Sequence, residues 1–247
     1  MSYNILSIIP SGIIGKLINI LGLAELHKFP AVCILFLMIR HLLFDLDDTI
    51  YPPPATAGMY NRIIDYTTSL LGLNREEAEK IWIEKNKIYG STLTWYQSEF
   101  NFTNAGDFLA QVHPPEELEE ITFDPDLRNF LLSLNMPMTI LTNGSEAHAI
   151  RILEYLKVAD LFREIWAIER LDFRGKPQSS AYQRVFSSGD FTLEDTVYFD
   201  DNPKYVEAYT RLGGRAVLVT PREAILLPGV PRVNSIYEIP QVLGEIG

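Results

Sequence analysis

The segment LLFDLDDTIY, residues 42–51, contains the residues most suited to chemistry. A short apolar run ends in Asp45, Asp47 and Asp48, and Thr49 follows. Carboxylates this close together repel one another unless a proton or a cation relieves the repulsion. A divalent metal is one remedy, and Mg²⁺ prefers oxygen ligands that include one or two carboxylates. An acidic turn that caps a helix is the alternative, and this segment alone does not decide between them.

A second acidic pair stands at the end of another apolar run. Asp200 and Asp201, followed by Asn202, come directly after the predicted strand Val197–Phe199. Ligands of open α/β sheets bind at the carboxyl ends of the strands, so acidic turns on adjacent parallel strands would meet in one crevice. The pair therefore favours a shared acidic site over two unrelated surface loops.

Two segments between these acidic turns supply groups that bind phosphate. The sequence MTILTNGS places Thr142, Asn143 and Gly144 at a strand end before a helix, where a hydroxyl and backbone amides can hold phosphate oxygens. Helix N-capping is the competing role for Thr142 or Ser145, and both roles can coexist. The turn GKP can direct Lys176 inward, although on its own this lysine would be an ordinary surface residue.

Other polar residues receive a structural interpretation. The acidic cluster from Pro114 to Glu120, which includes Glu117, is predicted to be the solvated start of a helix rather than a metal site. His148 lies one helical turn past Thr142 and could approach a phosphate, but a solvated place on the helix surface is the favoured interpretation.

The elements that must position these residues follow an α/β pattern. Short apolar runs alternate with helical stretches from residue 40 onward, which is typical of parallel strands joined by crossover helices. The predicted strands are His41–Phe44, Met138–Leu141, Ile165–Ile168, Val197–Phe199 and Ala216–Val219.

Between the first two strands the pattern is helical, over residues 57–120. Apolar residues recur on one helix face from Met59 to Leu70, and Gly72 ends that helix. Asn74, with Glu77 three residues later, predicts a capping box at the start of the next helix. We therefore expect a helical insertion inside the α/β domain.

Composition and charge restrict the class of partner. The net charge of −11 argues against nonspecific binding to nucleic acid, which depends on clustered Lys and Arg. The negative net charge still permits a small anionic substrate, since one lysine, a metal ion or a helix N-terminus supplies local positive charge. Cys33 is the only cysteine, which excludes an intramolecular disulfide and fits a reducing, cytoplasmic setting. The oligomeric state has no sequence signal.

The first 37 residues are rich in apolar side chains. The run Ala31–Ile39 is continuously apolar but shorter than the roughly 20 residues that cross a bilayer, and Pro30 and Arg40 bracket it. A membrane span is therefore not expected. The alternatives are a peripheral amphipathic segment, a signal-like apolar region, or an extension that precedes a biological start at Met38.

Taken in order, the four chemical segments resemble the motifs of the haloacid dehalogenase (HAD) superfamily of phosphohydrolases. The match spans residues 40–220 and consists of Asp45, Asp47 and Thr49, then Thr142, then Lys176, then Asp200 with Asp201. The resemblance implies a HAD-like Rossmannoid parallel sheet core with an inserted helical cap domain. On this basis we assign the core to residues 38–52 and 122–247, the cap to 53–121 and an apolar extension to 1–37.

The resemblance also implies roles for these residues. Asp45 would be the nucleophile that forms an aspartyl-phosphate, while Asp47 would protonate the leaving oxygen and later deprotonate the hydrolytic water. For this, burial under the cap is expected to raise the pKa of Asp47. Thr142 and Lys176 would bind the phosphoryl oxygens. Mg²⁺ would be held by Asp45, the main-chain carbonyl of Asp47, and Asp201, with Asp200 as a second acidic partner.

Within the superfamily, the sequence most resembles the pyrimidine 5'-nucleotidase branch, in the stretches FDLDDTIYPP, KNKIYGSTL and VYFDDNPKYVEA. This implies hydrolysis of a small phosphomonoester such as a nucleoside 5'-monophosphate. It also implies a cap turn near the active site, formed by Tyr89, Gly90, Ser91 and Thr92. Trp95 and Tyr96 are candidates for stacking on a base, although core packing is favoured. A sugar-phosphate or other small-metabolite phosphatase, a phosphomutase and a non-catalytic binding protein are the alternatives.

Overall fold

The computed structural model describes residues 39–53, 56–223 and 225–246. The interpretations given for residues 1–37 lie outside the described residues. The predicted α/β fold with a parallel sheet is confirmed, because six parallel strands form one sheet in the order β3-β2-β1-β4-β5-β6. The strands are β1 (His41–Phe44), β2 (Met138–Leu141), β3 (Phe162–Trp166), β4 (Thr196–Asp200), β5 (Arg215–Val219) and β6 (Arg232–Val233).

The central strands are buried on both faces, which explains why they are continuous apolar runs rather than alternating ones. In β1, Leu42 and Phe44 pack in one core layer with Ile152, while Leu43 packs in the opposite layer with Tyr182. Successive side chains of a strand point to opposite faces. Four residues therefore anchor both layers and place Asp45 at the carboxyl edge of the sheet.

The strand predictions differ in accuracy. His41–Phe44 and Met138–Leu141 have the predicted bounds, and β4 and β5 begin one residue earlier than predicted. The prediction of Ile165–Ile168 is wrong in its bounds, because β3 pairs with β2 only up to Trp166. Ile168 is buried nevertheless, since it packs with the helical insertion. No sequence pattern indicates β6, which has two residues and is too short for one.

The helical insertion lies between β1 and β2. Its helices are α1 (Ala57–Leu71), α2 (Arg75–Tyr89), α3 (Thr92–Phe100) and α4 (Ala105–Val112), followed by a 3₁₀ helix at Pro115–Glu120. Two boundary predictions are confirmed: Gly72 ends α1 in the left-handed conformation with φ of 65°, and Asn74 forms a capping box with Glu77.

The remaining helices cover the two faces of the sheet. Helices α5 (Leu127–Ser133), α6 (Glu146–Tyr155) and α9 (Ile239–Ile246) pack on one face, and α7 (Ser179–Val185) and α8 (Pro203–Arg211) pack on the other. Short 3₁₀ segments lie at Ala159–Leu161, Phe186–Ser188 and Ile236–Glu238. Within the described ranges, no helix combines the length and the apolarity needed to cross a membrane.

Candidate active site

A buried ion-paired cluster lies at the carboxyl ends of β1 and β4. Lys176 is fully buried, and its Nζ lies 2.5 Å from Asp45 Oδ1 and 2.8 Å from Asp200 Oδ2. The surface alternative for Lys176 is therefore wrong. Because β1 and β4 are adjacent, the two acidic turns lie side by side and the lysine stands between them.

Asp200 uses both carboxylate oxygens to hold this arrangement. Oδ2 accepts hydrogen bonds from Lys176 and from the Tyr198 hydroxyl, and Oδ1 accepts from the backbone N–H of Asn202 at 2.7 Å. Asp200 is completely buried as the last residue of β4. Asp200 therefore orients the Lys176 ammonium toward Asp45.

Asp45, Asp200 and Asp201 form the group that suits a cation. One carboxylate oxygen from each lies within 4.8 Å of the others. Burial and the neighbouring carboxylates raise the pKa of Asp201 to about 9, and burial raises that of Asp45 to about 8 although Lys176 opposes it. One lysine does not balance three carboxylates, and an all-oxygen donor set fits Mg²⁺.

The side chain of Asp47 lies outside this cluster. Its Oδ1 accepts from the Tyr51 hydroxyl and lies 2.9 Å from His148 Nε2. The expectation of a raised pKa is wrong here: burial does raise it, but the charge and hydrogen bond of His148 hold the pKa of Asp47 well below its usual range. The metal contact predicted for Asp47 is its main-chain carbonyl, which stays a candidate because the side chain faces His148 instead.

Thr49 connects the two acidic turns. Its hydroxyl donates to Asp45 Oδ2 at 3.2 Å and accepts from the backbone N–H of Asp201 at 3.1 Å. A side chain that donates to one turn and accepts from the other fixes their spacing. The threonine of the first motif therefore stabilises the site rather than contacting substrate.

Thr142 and Asn143, which follow β2, make different contacts. Thr142 is buried beside the cavity, and its hydroxyl accepts from the backbone N–H of Gly144 at 2.9 Å. The Asn143 side chain instead forms two hydrogen bonds with the Lys176 backbone, at 2.8 and 2.9 Å. Asn143 thus positions the lysine, and it also lines the cavity. Thr142 and backbone amides stay candidates for holding phosphate.

A cavity of about 720 Å³ opens between this cluster and the helical insertion. Asp45, Asp47, Thr142 and Lys176 line its floor, and its size is in the usual range for small-molecule sites. From Ala57 onward, the insertion contributes apolar and aromatic side chains together with five polar ones, Asn61, Asn86, Ser91, Thr92 and His113. The apolar and aromatic side chains are those of Ala57, Met59, Tyr60, Ile63, Trp82, Leu93, Phe108, Leu109 and Val112.

Three predicted cap residues do not line this cavity. The Tyr89 hydroxyl donates to Glu99 at 2.9 Å, and Tyr89 does not line the cavity, whereas Ser91 and Thr92 of the same predicted cap turn do. Trp95 and Tyr96 are fully buried in the core of the insertion, as the core-packing alternative stated. Among the aromatic residues that do line the cavity are Tyr60 and Trp82, whose ring centroids are 5.1 Å apart.

Contacts from α8 hold the end of α2 over the site. Lys204 Nζ donates to the main-chain oxygens of Asn86 and Lys87, each at 2.8 Å. The Tyr205 hydroxyl donates to the Gly90 oxygen at 2.8 Å and accepts from Asn143 at 3.2 Å. These bonds connect the insertion to the same asparagine that positions Lys176.

Sequence reasoning favoured the wrong surroundings for two residues beside the site, His148 and Glu117. His148 is 1% exposed and Glu117 is 4% exposed, so the solvated interpretations of both are wrong. They contact each other, with 2.7 Å between His148 Nδ1 and Glu117 Oε1. One signal was available for His148, since the first turn of a helix after a strand's carboxyl end faces the site. For Glu117 no local pattern exists, because its partners come from distant parts of the chain.

The chain belongs to the haloacid dehalogenase-like hydrolase family, whose model matches residues 39–213. Solved structures share the fold. A HAD phosphatase from Thermococcus onnurineus is 17% identical with a TM-score of 0.59, over 83% of this chain and 98% of that one. The magnesium-bound HAD-hydrolase YfnB from Bacillus subtilis is 17% identical with a TM-score of 0.59, over 84% and 99%.

L-2-haloacid dehalogenase from Xanthobacter autotrophicus, with chloropropionic acid covalently bound, is 12% identical with a TM-score of 0.55, over 85% of this chain and 100% of that one. Phosphatases and dehalogenases are thus both among the neighbours. At these identities the likeness shows the fold, and the reaction has to be argued from the site.

Proposed function

We propose that this hydrolase is a Mg²⁺-dependent phosphatase that hydrolyses a small phosphomonoester, preferably a nucleoside 5'-monophosphate, through an aspartyl-phosphate on Asp45. The observation that carries the proposal is the arrangement of Asp45, Lys176 and Asp200, buried at 2.5 and 2.8 Å beside a cavity that Asp47 also lines. A nucleophile, a cation and a second acid at one cavity are the groups that phosphoryl transfer needs.

The position of Asp47 favours phosphoryl transfer over dehalogenation. A dehalogenase releases a halide, which needs no proton, so a second acid has no task there. A phosphomonoester of an alcohol releases an alkoxide, which does need one. Asp47 lines the cavity only two residues after Asp45, as the phosphatase mechanism requires.

The proposed reaction has two halves. An oxygen of Asp45 attacks phosphorus, the bond to the leaving oxygen breaks, and Asp47 supplies the proton that this oxygen takes. In the second half Asp47 accepts a proton from water, which attacks the aspartyl-phosphate and releases phosphate and free Asp45. The low pKa of Asp47 keeps its carboxylate ionised in the free site, so Asp47 has to take up a proton before the first half of the reaction. Protonation of a poor leaving group is therefore the demanding step.

Charge neutralisation accounts for the remaining groups. Lys176 and Thr142 would bind phosphoryl oxygens, and the lysine would reduce their repulsion with the Asp45 carboxylate. Mg²⁺, held by Asp45, Asp201 and the main-chain carbonyl of Asp47, would add positive charge at the transferring group. The magnesium bound to the YfnB structure supports this choice of metal, as does the all-oxygen donor set.

The lining of the cavity supports a nucleoside as the leaving group. Tyr60 and Trp82 offer aromatic surface, and the amide of Asn86 and the amide N–H groups of Asn61 offer hydrogen-bonding groups for the edge of a base. A sugar phosphate without a base would leave the apolar wall of Met59 and Phe108 uncovered. Sugar-phosphate hydrolysis and phosphomutase chemistry are the runner-up functions.

The test is a panel of phosphomonoesters assayed with Mg²⁺ and with a chelator. UMP and CMP should be hydrolysed faster than sugar phosphates, and the chelator should abolish turnover. If the two nucleotides rank no higher than sugar phosphates, the nucleotidase proposal fails while the phosphatase proposal survives. Undiminished activity of Asp45→Asn would refute the aspartyl-phosphate mechanism.

A further inference from the structure

His148 is enclosed between two carboxylates. Its Nε2 lies 2.9 Å from Asp47 Oδ1, its Nδ1 lies 2.7 Å from Glu117 Oε1, and its side chain is 1% exposed. A carboxylate accepts hydrogen bonds, so both ring nitrogens donate. The imidazole therefore joins the proposed acid/base carboxylate to Glu117, which lies in the 3₁₀ helix after the last helix of the insertion.

Glu117 is itself held by two other side chains. Arg151 of α6 donates to Glu117 Oε1 and, at 2.8 Å, to the main-chain oxygen of His113. The His113 Nδ1 lies 3.1 Å from Glu117 Oε2. A buried carboxylate with this many partners belongs to a network that rigidifies its surroundings. Glu117 is thus a firm anchor for His148.

The Asp47 carboxylate is held through one oxygen. Oδ1 accepts from both His148 Nε2 and the Tyr51 hydroxyl, whereas Oδ2 has no hydrogen bond from the residues that the structure describes. Two donors on one oxygen restrict rotation of the carboxylate. They leave the other oxygen available to a leaving group or a water in the cavity that Asp47 lines.

Gly144 leaves the space that this arrangement needs. A Cβ at position 144 would lie 2.8 Å from His148 Cδ2 and 3.2 Å from Thr142 Oγ1. Protein interiors are close-packed, so a side chain at position 144 would displace His148 or crowd Thr142. Gly144 therefore leaves the room that the His148 ring needs beside Thr142.

A metal ion is the alternative occupant of this cluster, since ligand atoms of His113, Glu117 and His148 lie within 4.8 Å of one another. Two observations argue against it. The Arg151 guanidinium already contacts the same Glu117 oxygen and places positive charge there. Both nitrogens of His148 also face carboxylates as donors, whereas a metal ligand must be neutral and offer a lone pair.

We propose that His148 is a positioning residue for phosphoryl transfer: anchored by Glu117, it holds the Asp47 carboxylate in the orientation that serves the leaving oxygen and the hydrolytic water. The inference rests on the proposed function, because it takes Asp47 as the acid/base group. His148 acts through Asp47 and not on the substrate.

The test compares two phosphomonoesters of similar size. Benzyl phosphate has an alkoxide leaving group that needs a proton, and 4-nitrophenyl phosphate has a leaving group that departs without one. His148→Asn should lower kcat/KM for benzyl phosphate about 100-fold, the cost of a misplaced catalytic group, and should lower that for 4-nitrophenyl phosphate far less. An equal loss on both esters would overturn the proposal.

A double-mutant cycle separates positioning from general damage. In an Asp47→Asn background, His148→Asn should cost little more, because no carboxylate is left to position. If the losses of the two single variants, expressed as activation free energies from kcat/KM, add fully in the double variant, the proposal is overturned. Glu117→Gln keeps an acceptor for His148 and serves as the milder variant if His148→Asn folds poorly. It should show the same substrate-dependent loss to a smaller degree, and an equal loss on both esters would count against the proposal.

His41→Asn is the matched control. His41 is also a buried histidine with two hydrogen bonds, to the hydroxyls of Thr139 and Thr196, and it does not line the cavity. Its variant should keep the wild-type ratio of the two kcat/KM values. A wild-type chain that hydrolyses neither ester with Mg²⁺ would overturn the proposed function itself. An active wild type with an unchanged ratio in His148→Asn would overturn the positioning role alone.

Discussion

The ammonium of Lys176 lies 2.5 Å from the carboxylate of Asp45, although 131 residues separate the two along the chain. The cation that is proposed to bind phosphate is therefore already paired with the nucleophile, and Asp200 holds it from the other side. Such preorganisation stabilises charge in the transition state without moving groups during the reaction. It also makes the lysine a structural residue.

Removing Lys176 should destabilise the protein as well as inactivate it. Lys176→Met leaves Asp45 and Asp200 buried without their cation, and losing one partner of a buried pair costs about 3–5 kcal/mol. Urea unfolding measures this loss. Lys80→Met removes an exposed pair with Glu76 and should leave the unfolding midpoint unchanged. Equal midpoints for both variants would contradict the buried cluster.

Removing the nucleophile should have the opposite effect on stability. Asp45→Asn takes one charge out of a crowded group with Asp200 and Asp201, so without metal the free energy of unfolding should not fall. Turnover should nevertheless be abolished, and Asp47→Asn should slow it by about 10² to 10⁴-fold. Activity assays beside urea unfolding check both. A strong loss of stability in Asp45→Asn would show that its charge is needed for folding.

Magnesium should stabilise the folded chain. A ligand that binds only the folded state adds about 2.7 kcal/mol at 100 times its Kd, so Mg²⁺ should raise Tm in a concentration-dependent way. Asp201→Asn should weaken this rise, because it removes one carboxylate of the candidate site. Asp160→Asn, an exposed change paired with Arg128, is the control. The same rise in Asp201→Asn would place the metal elsewhere.

Two tyrosines of α8 should respond differently to loss of the hydroxyl. Tyr205→Phe removes hydrogen bonds to Gly90 and Asn143, so kcat/KM should fall several-fold and stability by about 1 kcal/mol. Tyr209 has a buried hydroxyl with no hydrogen-bond partner among the described residues, so Tyr209→Phe should leave both unchanged or raise stability. If Tyr205→Phe behaves like Tyr209→Phe, the contact between α8 and the insertion does not matter for turnover.

His41 should make the protein less stable in acid. Burial, helped by the charge of Arg163, lowers its pKa from 6.5 to about 4. Between these two values the unfolded chain binds a proton that the folded chain does not, so stability falls as the pH falls through this window. At about 1.4 kcal/mol per pKa unit, the full loss is about 3 kcal/mol. Urea unfolding as a function of pH should show a shallower decline in His41→Asn. An identical decline would assign the acid sensitivity to other groups.

The sequence by itself determined the elements that depend on local pattern. The strand before Asp45, the helix end at Gly72 and the capping box of Asn74 are encoded within a few neighbouring residues, and the structure has them where they were predicted. The order of the acidic, threonine and lysine segments was likewise enough to indicate one shared site. Apolar runs and turn residues act through the adjacent backbone, which is why they can be recognised without a structure.

Only the tertiary structure decided the surroundings of Asp47. Glu117 stands in an acidic stretch that locally resembles a solvated helix start, and His148 follows two exposed residues, Glu146 and Ala147, at the start of its helix. Their burial arises because the end of the insertion packs on α6, which brings together side chains 31 residues apart. The pKa of a carboxylate depends on such distant charges, so burial alone predicted the wrong direction for Asp47.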